Sequence, residues 1–171
     1  YRILGTKREE HDLHFQVEAP VPVACEECGV VGEFVRFGKR DMAYRDMPIH
    51  GKRVTLWVVR RRYSCRACGK TFRPELPEMV DDHRMTQRLY SYVEKEAFNH
   101  PYAYVANTMG LDEKTVREIF KKKAEFLAAW HRFETPRWLG IDELYLNRRY
   151  RCILTNLEER TLLDLLPGRQ Q

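Results

Sequence analysis

No apolar run in this chain approaches the roughly 20 residues a membrane-spanning helix needs, so a helical membrane protein is excluded. A cationic stretch followed by an apolar one is missing at Tyr1, so no secretory signal is read and a reducing, cytoplasmic setting is expected. Internal repeats and low-complexity tracts are absent as well, leaving a succession of unlike regions. Cysteine is scarce, with five in 171 residues, and in a reducing setting these should be thiolates and not disulfides. The length leaves room for one ordinary domain or two or three small ones, and not for a single large enzyme core. A start without Met and a stop at Gly168-Arg169-Gln170-Gln171, just after an apolar run, lead us to expect a piece of a longer protein, cut at both ends.

What is present is positive charge. Thirty Lys and Arg face 25 Asp and Glu, and the excess favours a polyanionic partner, because bases that neutralise phosphates release condensed counterions. Its distribution is more telling than its size. From Phe34 to Arg73 the chain carries Arg36, Lys39, Arg40, Arg45, Lys52, Arg53, Arg60, Arg61, Arg62, Arg66, Lys70 and Arg73 against only Asp41 and Asp46.

Four of the cysteines form two copies of C-x-x-C-G: Cys25-Glu26-Glu27-Cys28-Gly29 and Cys65-Arg66-Ala67-Cys68-Gly69. Two residues between cysteines let both sulfurs of a tight turn reach one ion, and the glycine supplies the backbone freedom of that turn. Two such knuckles complete a tetrahedron for Zn²⁺. The 36 residues between Cys28 and Cys65 exceed the usual gap, but a long hairpin between them would bring the knuckles together at its base. Buried free thiols or redox C-x-x-C pairs are the alternatives, though redox pairs sit where a strand meets a helix, which neither copy does. Because all four positions of the ion would be filled by cysteine, the zinc is expected to be structural. Cys152, in an apolar run, reads as a small core residue.

The pattern around the cysteines is β-like: Leu13, Phe15 and Val17 alternate, as do 36–44 and 54–63, with Ile49-His50-Gly51-Lys52 as the turn. After Asp81 the period changes. Leu89, Tyr92, Val93 and Ala97 lie on one face of a helix capped by Thr86; Pro101 suits the first turn of a second helix, and Gly110 ends it. Asp112 caps a third, with Val116, Ile119, Phe120, Leu127 and Ala128 as its apolar stripe. The spacing of Ala106, Gly110 and Val116 fits a helix-turn-helix, in which a small residue permits close crossing and a glycine permits the turn. The third helix would then lie in a major groove, exposing Lys114, Thr115, Arg117, Glu118, Lys121 and Lys122. Arg117 suits the O6 and N7 of guanine, while Lys121 and Lys122 suit phosphate. A plain three-helix bundle with a solvated basic face is the competing reading. On the strand carrying Arg60-Arg61-Arg62, Arg60 and Arg62 share a face available to phosphate, or form a solvated edge. Past Glu134-Thr135-Pro136, three short apolar runs separated by turns at Asn147-Arg148 and 157–160 read as successive strands.

The order of C-x-x-C-G, Arg60-Arg61-Arg62-Tyr63-Ser64-Cys65 leading into Cys68-Gly69-Lys70-Thr71-Phe72, the turn around Ala106-Gly110, and Leu139-Gly140-Ile141-Asp142-Glu143 resembles the ISL-three family of bacterial insertion-sequence transposases. The resemblance implies an α+β chain of three parts: a zinc ribbon over 1–80, a helix-turn-helix over 81–134, and over 135–171 the start of an RNase H-like catalytic domain. It further implies a DDE transposase that needs Mg²⁺ when whole, with Asp142 the first of its carboxylates. Where this family commonly has Asp at the end of the second strand, this chain has Asn156. On this reading the present piece binds double-stranded DNA at the transposon ends, in the bacterial nucleoid and with a homodimer as one option, without cutting it. A zinc-ribbon transcription regulator and a zinc-ribbon protein-interaction module are the alternatives.

Overall fold

The computed structural model describes residues 1–132 and 134–167; the terminal Gly168-Arg169-Gln170-Gln171 lie outside the described residues. Chain contacts divide it into two compact units, Tyr1–Glu125 and Phe126 onward. The first is built on a twisted sheet. Strands β1 (Arg2–Arg8) and β2 (Asp12–Glu18) form an antiparallel pair, and β2 then runs parallel to β4 (Lys52–Cys65). The long hairpin of β3 (Phe34–Ile49) and β4 is the centre, turning at His50 and Gly51, both at positive φ. Short strands β5 (Thr71–Phe72), β6 (Met79–Val80) and β7 (Met85–Thr86) complete the order β1-β2-β4-β3-β7-β6, with β5 against the end of β4.

Helix α1 (Gln87–Glu96) starts where expected, with the Thr86 hydroxyl accepting from the Leu89 N–H. Leu89, Val93 and Ala97 are buried, but Tyr92 is exposed; Tyr90, one turn-face away, packs on the core instead. Helix α2 (Tyr102–Met109) has Pro101 as its N-cap, one position before the first turn, and ends at Gly110 with φ 68°. Helix α3 (Glu113–Trp130) begins under the Asp112 carboxylate, which accepts from the Thr115 N–H at 2.9 Å. Val116 and Ile119 are fully buried, whereas Leu127 and Ala128, expected on the same stripe, are exposed.

Three apolar clusters hold the first unit. Tyr63, Phe72 and Phe34 pack around the cysteines, with the Tyr63 and Phe72 rings stacked at 5.7 Å. Val17, Tyr44, Val58 and Leu76 fill the middle of the hairpin. The helices pack on Met85, with Met47 and Val80 of the strands against the same cluster. A polar tie joins sheet and helices: the buried Asp46 of β3 accepts from the Thr86 hydroxyl at 2.7 Å, the Met47 N–H at 2.8 Å and the Arg88 guanidinium. Burial favours the neutral acid, but Arg88, Thr86 and the backbone N–H outweigh it and hold the Asp46 carboxyl below the usual range.

The second unit contains an antiparallel sheet of β8 (Leu139–Leu146), β9 (Arg149–Asn156) and β10 (Thr161–Pro167), in the order β10-β9-β8. Asn147 and Arg148, both at positive φ, form the first tight turn. Asn156 is buried and its side-chain oxygen accepts from the N–H groups of Glu158 and Glu159, so it caps the second turn. Cys152 lies half-buried on β9.

Candidate metal centre and nucleic-acid interface

The two knuckles are built alike. In each, the first cysteine's N–H donates to the carbonyl five residues on and its own carbonyl accepts from the glycine N–H: Cys25 with Val30 and Gly29, Cys65 with Lys70 and Gly69. Gly29 and Gly69 stand at φ 74° and 72°, the left-handed conformation that closes the loop. The hairpin brings the knuckles together, since Phe34 pairs with Cys65 at its open end and Arg66 N–H donates to the Glu33 carbonyl. Lys70 adds an ion pair to Glu27 across the two loops.

All four sulfurs lie within 4.8 Å of one another, with Cys28 and Cys65 at 3.7 Å and Cys25 and Cys68 at 4.0 Å. Sulfurs at about 2.3 Å from a tetrahedral zinc stand roughly 3.8 Å apart, so the set fits that ion. Without a cation the thiols cannot ionise together. Cys65 is lowered to about 7 by the backbone N–H groups of Cys68 and Ala67 and by its thiol neighbours. At Cys28 the Val30 N–H favours the thiolate, but desolvation and the other three thiols outweigh it and push the group up to about 12. A divalent ion removes this conflict by taking all four as thiolates. Cys25 and Cys65 are buried within the aromatic cluster, so the site is part of the core it completes and carries structural zinc.

The basic residues divide into committed and uncommitted groups. Arg60 is committed: its side chain is only 14% exposed, one Nη donates to Asp81 at 2.5 Å, and its buried Nε has no acceptor among the described residues. Asp81 also accepts from Tyr44, whose hydroxyl is pushed up to about 12 by burial and by that carboxylate. Arg61 donates to Glu18 of β2, and Arg53 to Asp12. Arg62 instead lays its guanidinium 4.5 Å over the Phe37 ring. With Gly38, Lys39, Arg40, Arg60 and Arg73 it lines a shallow concavity of about 200 Å³.

On α3, Arg117 pairs with Glu113 at 2.6 Å, Lys114 with Glu118 at 3.9 Å and Lys121 with Glu125 at 3.7 Å, all one turn apart and exposed. Lys122 approaches His83, and Thr115 is half-buried with its hydroxyl on Asp112. The start of α3 also walls a cleft of about 730 Å³ over the sheet, where Arg45, Thr55 and Trp57 face Leu111 and Asp112. Gly110 belongs to this junction, because a Cβ there would come within 2.7 Å of the Arg53 side chain. The sequence alone missed the acids that neutralise the arginines, since Glu18, Asp12 and Asp81 lie outside the basic segment.

Asp142 is on β8, opposite Ile153, and its carboxylate accepts from the Glu143 N–H at 2.7 Å. Among the described residues, the four cysteines are the one grouping of three or more His, Cys, Asp or Glu able to hold a metal, and Asp142 is not part of it. No described helix is long and apolar enough to cross a membrane.

Residues 22–68 match the family model of the zinc-finger of transposase IS204/IS1001/IS1096/IS1165. The chain is similar to the transposase for insertion sequence element IS1001 of Bordetella parapertussis, at 28% identity over 149 residues. That likeness covers 86% of this chain but 36% of the relative, so the chain spans about a third of the curated protein it matches. No solved structure matches it. The matched segment holds all four cysteines and the whole hairpin, and the likeness reaches well past it into the rest of the chain; the zinc ribbon is that of the ISL-three insertion-sequence transposases, the family that the chain resembles over most of its length.

Proposed function

We propose that this chain is the DNA-binding part of a bacterial insertion-sequence transposase and that it recognises the terminal inverted repeats of its element. The observation that carries this reading is a transposase-type zinc ribbon whose hairpin bears uncompensated cations, in one compact unit with three helices. Helices α2 and α3 act as a helix-turn-helix: Ala106 and Val116 are buried at their crossing and Gly110 makes the left-handed turn between them. In this arrangement α3 enters the major groove, Arg117 reads a base edge, and Lys114, Lys121 and Lys122 hold phosphates. Arg117 must exchange Glu113 for the base, a small loss because exposed ion pairs contribute about 0–1 kcal/mol. Thr115 and Arg60 are held by their own partners, so their part is to position the helix start and the hairpin.

The three-stranded sheet is the beginning of an RNase H-like domain, and Asp142 is one carboxylate of a Mg²⁺-dependent strand-transfer centre of the whole transposase. The protein works on the bacterial chromosome, in the cytoplasm. Selection of duplexes from a random pool by the zinc-loaded chain tests the reading. Enrichment of a sequence found in the inverted repeats flanking its gene is the expected result; a pool that stays random after repeated rounds contradicts repeat recognition.

A further inference from the structure

We infer that the concavity formed by Lys39, Arg40, Arg62 and Arg73 is a clamp for the sugar-phosphate backbone of duplex DNA, separate from the reading helix. The inference rests on the DNA-binding function proposed above and assigns the hairpin's part of the sequence-independent binding to one place.

Three features set this patch apart from the other basic surfaces. Its lining residues include five bases and no acid, whereas the larger cleft beside α3 mixes arginines with Glu9, Asp12 and Asp112. Lys39, Arg40 and Arg73 are exposed and have no hydrogen-bond or ion-pair partner among the described residues. Arg62 lies over the Phe37 ring, a contact that limits where its guanidinium can move before any ligand arrives. Arg60 forms part of the wall, but Asp81 neutralises it, so it is a positioning residue.

Like charges gathered without counter-acids repel one another, and an anion removes that repulsion. The strand register explains how they meet: Arg40 pairs with Arg60 and Gly38 with Arg62 across β3 and β4, while Arg73 follows β5, which pairs with Tyr63 and Ser64. Gly38 adds no side chain to the floor, leaving the concavity open. A row of phosphates on one strand satisfies several separated cations at once, which a single small anion does not. Because it touches no base, such a clamp raises affinity equally on every sequence and steepens the salt dependence.

The test compares the zinc-loaded chain with its Lys39→Ala/Arg40→Ala/Arg73→Ala variant on the inverted-repeat end and on a scrambled duplex, from about 50 to about 200 mM salt. Zinc content and melting temperature should be unchanged, since these side chains hold nothing in the fold. Each lost phosphate contact lowers the slope of log K against log salt by about 0.9, so the triple variant should lose roughly 2–3. Both duplexes should weaken by the same factor, and the Lys39→Arg/Arg40→Lys/Arg73→Lys variant should keep the slope. An unchanged slope with preference for the repeat retained overturns the clamp and leaves repeat recognition standing. A reduced slope with no preference in either protein upholds the clamp and sinks repeat recognition. Failure of the wild-type chain to bind any duplex overturns both.

Discussion

The hairpin and α3 are both rich in bases, yet they present charge in opposite ways. Along α3 the basic residues at 114, 117 and 121 each have an acid one turn away. On and beside the hairpin, the bases at 39, 40 and 73 have none among the described residues, while those at 53, 60 and 61 are neutralised from elsewhere in the fold. A paired base is engaged only by a partner that offers more than its own carboxylate does, such as the two acceptors of guanine, and this favours discrimination. An unpaired cluster is engaged by any polyanion, and this favours affinity. On the function proposed above, the two surfaces divide the work of binding DNA between them.

Removing the zinc is the harshest way to break this comparison. Metal binding to such sites is worth on the order of 10 kcal/mol of folding free energy. Cys65→Ser, or chelation, should therefore melt the cluster around Tyr63 and Phe72 and abolish the hairpin's contribution to binding. Near-ultraviolet circular dichroism together with zinc analysis checks this, and a chain that keeps its melting curve without metal contradicts the site.

Arg117→Ala sharpens the other side. It should cost about 1–3 kcal/mol on the cognate sequence and relax preference there. Equal loss on all duplexes, measured by competition titration, would make Arg117 another phosphate contact.

The tie between the hairpin and α1 is of similar size. Asp46→Ala leaves the Thr86 hydroxyl and the Met47 N–H without their acceptor and should destabilise the first unit by about 1–3 kcal/mol in urea unfolding. The pH dependence has a definite sign. Asp46 is held below its unfolded value of about 3.9, so its stabilisation is complete above that pH and fades as pH falls through the folded value. Urea midpoints taken down to about pH 3 should fall less steeply for Asp46→Asn than for wild type, from a lower starting stability.

The smallest effect is expected at the turn. Gly110→Ala places a Cβ in a left-handed conformation, at about 1–2 kcal/mol, while the flexible Arg53 side chain beside it can move aside. Thermal melts measure the cost, and a neutral substitution would remove the reason for glycine there.

The local signals in the sequence were legible because local physics makes them. Paired C-x-x-C-G knuckles, the Thr86 and Asp112 caps, the Gly110 stop and the Asn147-Arg148 turn all depend on residues within a few positions of one another. The knuckles' meeting at the base of a long hairpin followed from two alternating stretches around one turn. Non-local pairing was not legible. Nothing near Arg60 in sequence announces Asp81, and nothing near Arg61 announces Glu18 on a strand that joins the hairpin in parallel. Counting bases along the segment thus overstates its free charge, since Arg60 is a half-buried tie to Asp81. The inward side of α1 was misjudged at Tyr92 for a related reason: its spacing from Leu89 permits burial, but the core there is filled by Tyr90. Asn156 stands where the resembled family commonly has Asp, and its bonds to the Glu158 and Glu159 N–H groups give it a turn-capping role that either side chain could fill.

Competition between the inverted-repeat end and a scrambled duplex for the zinc-loaded chain, at low and at raised salt, tests the central claim most directly. A preference for the repeat should persist as salt rises while both affinities fall. Equal affinity for the two duplexes at every salt concentration would contradict it.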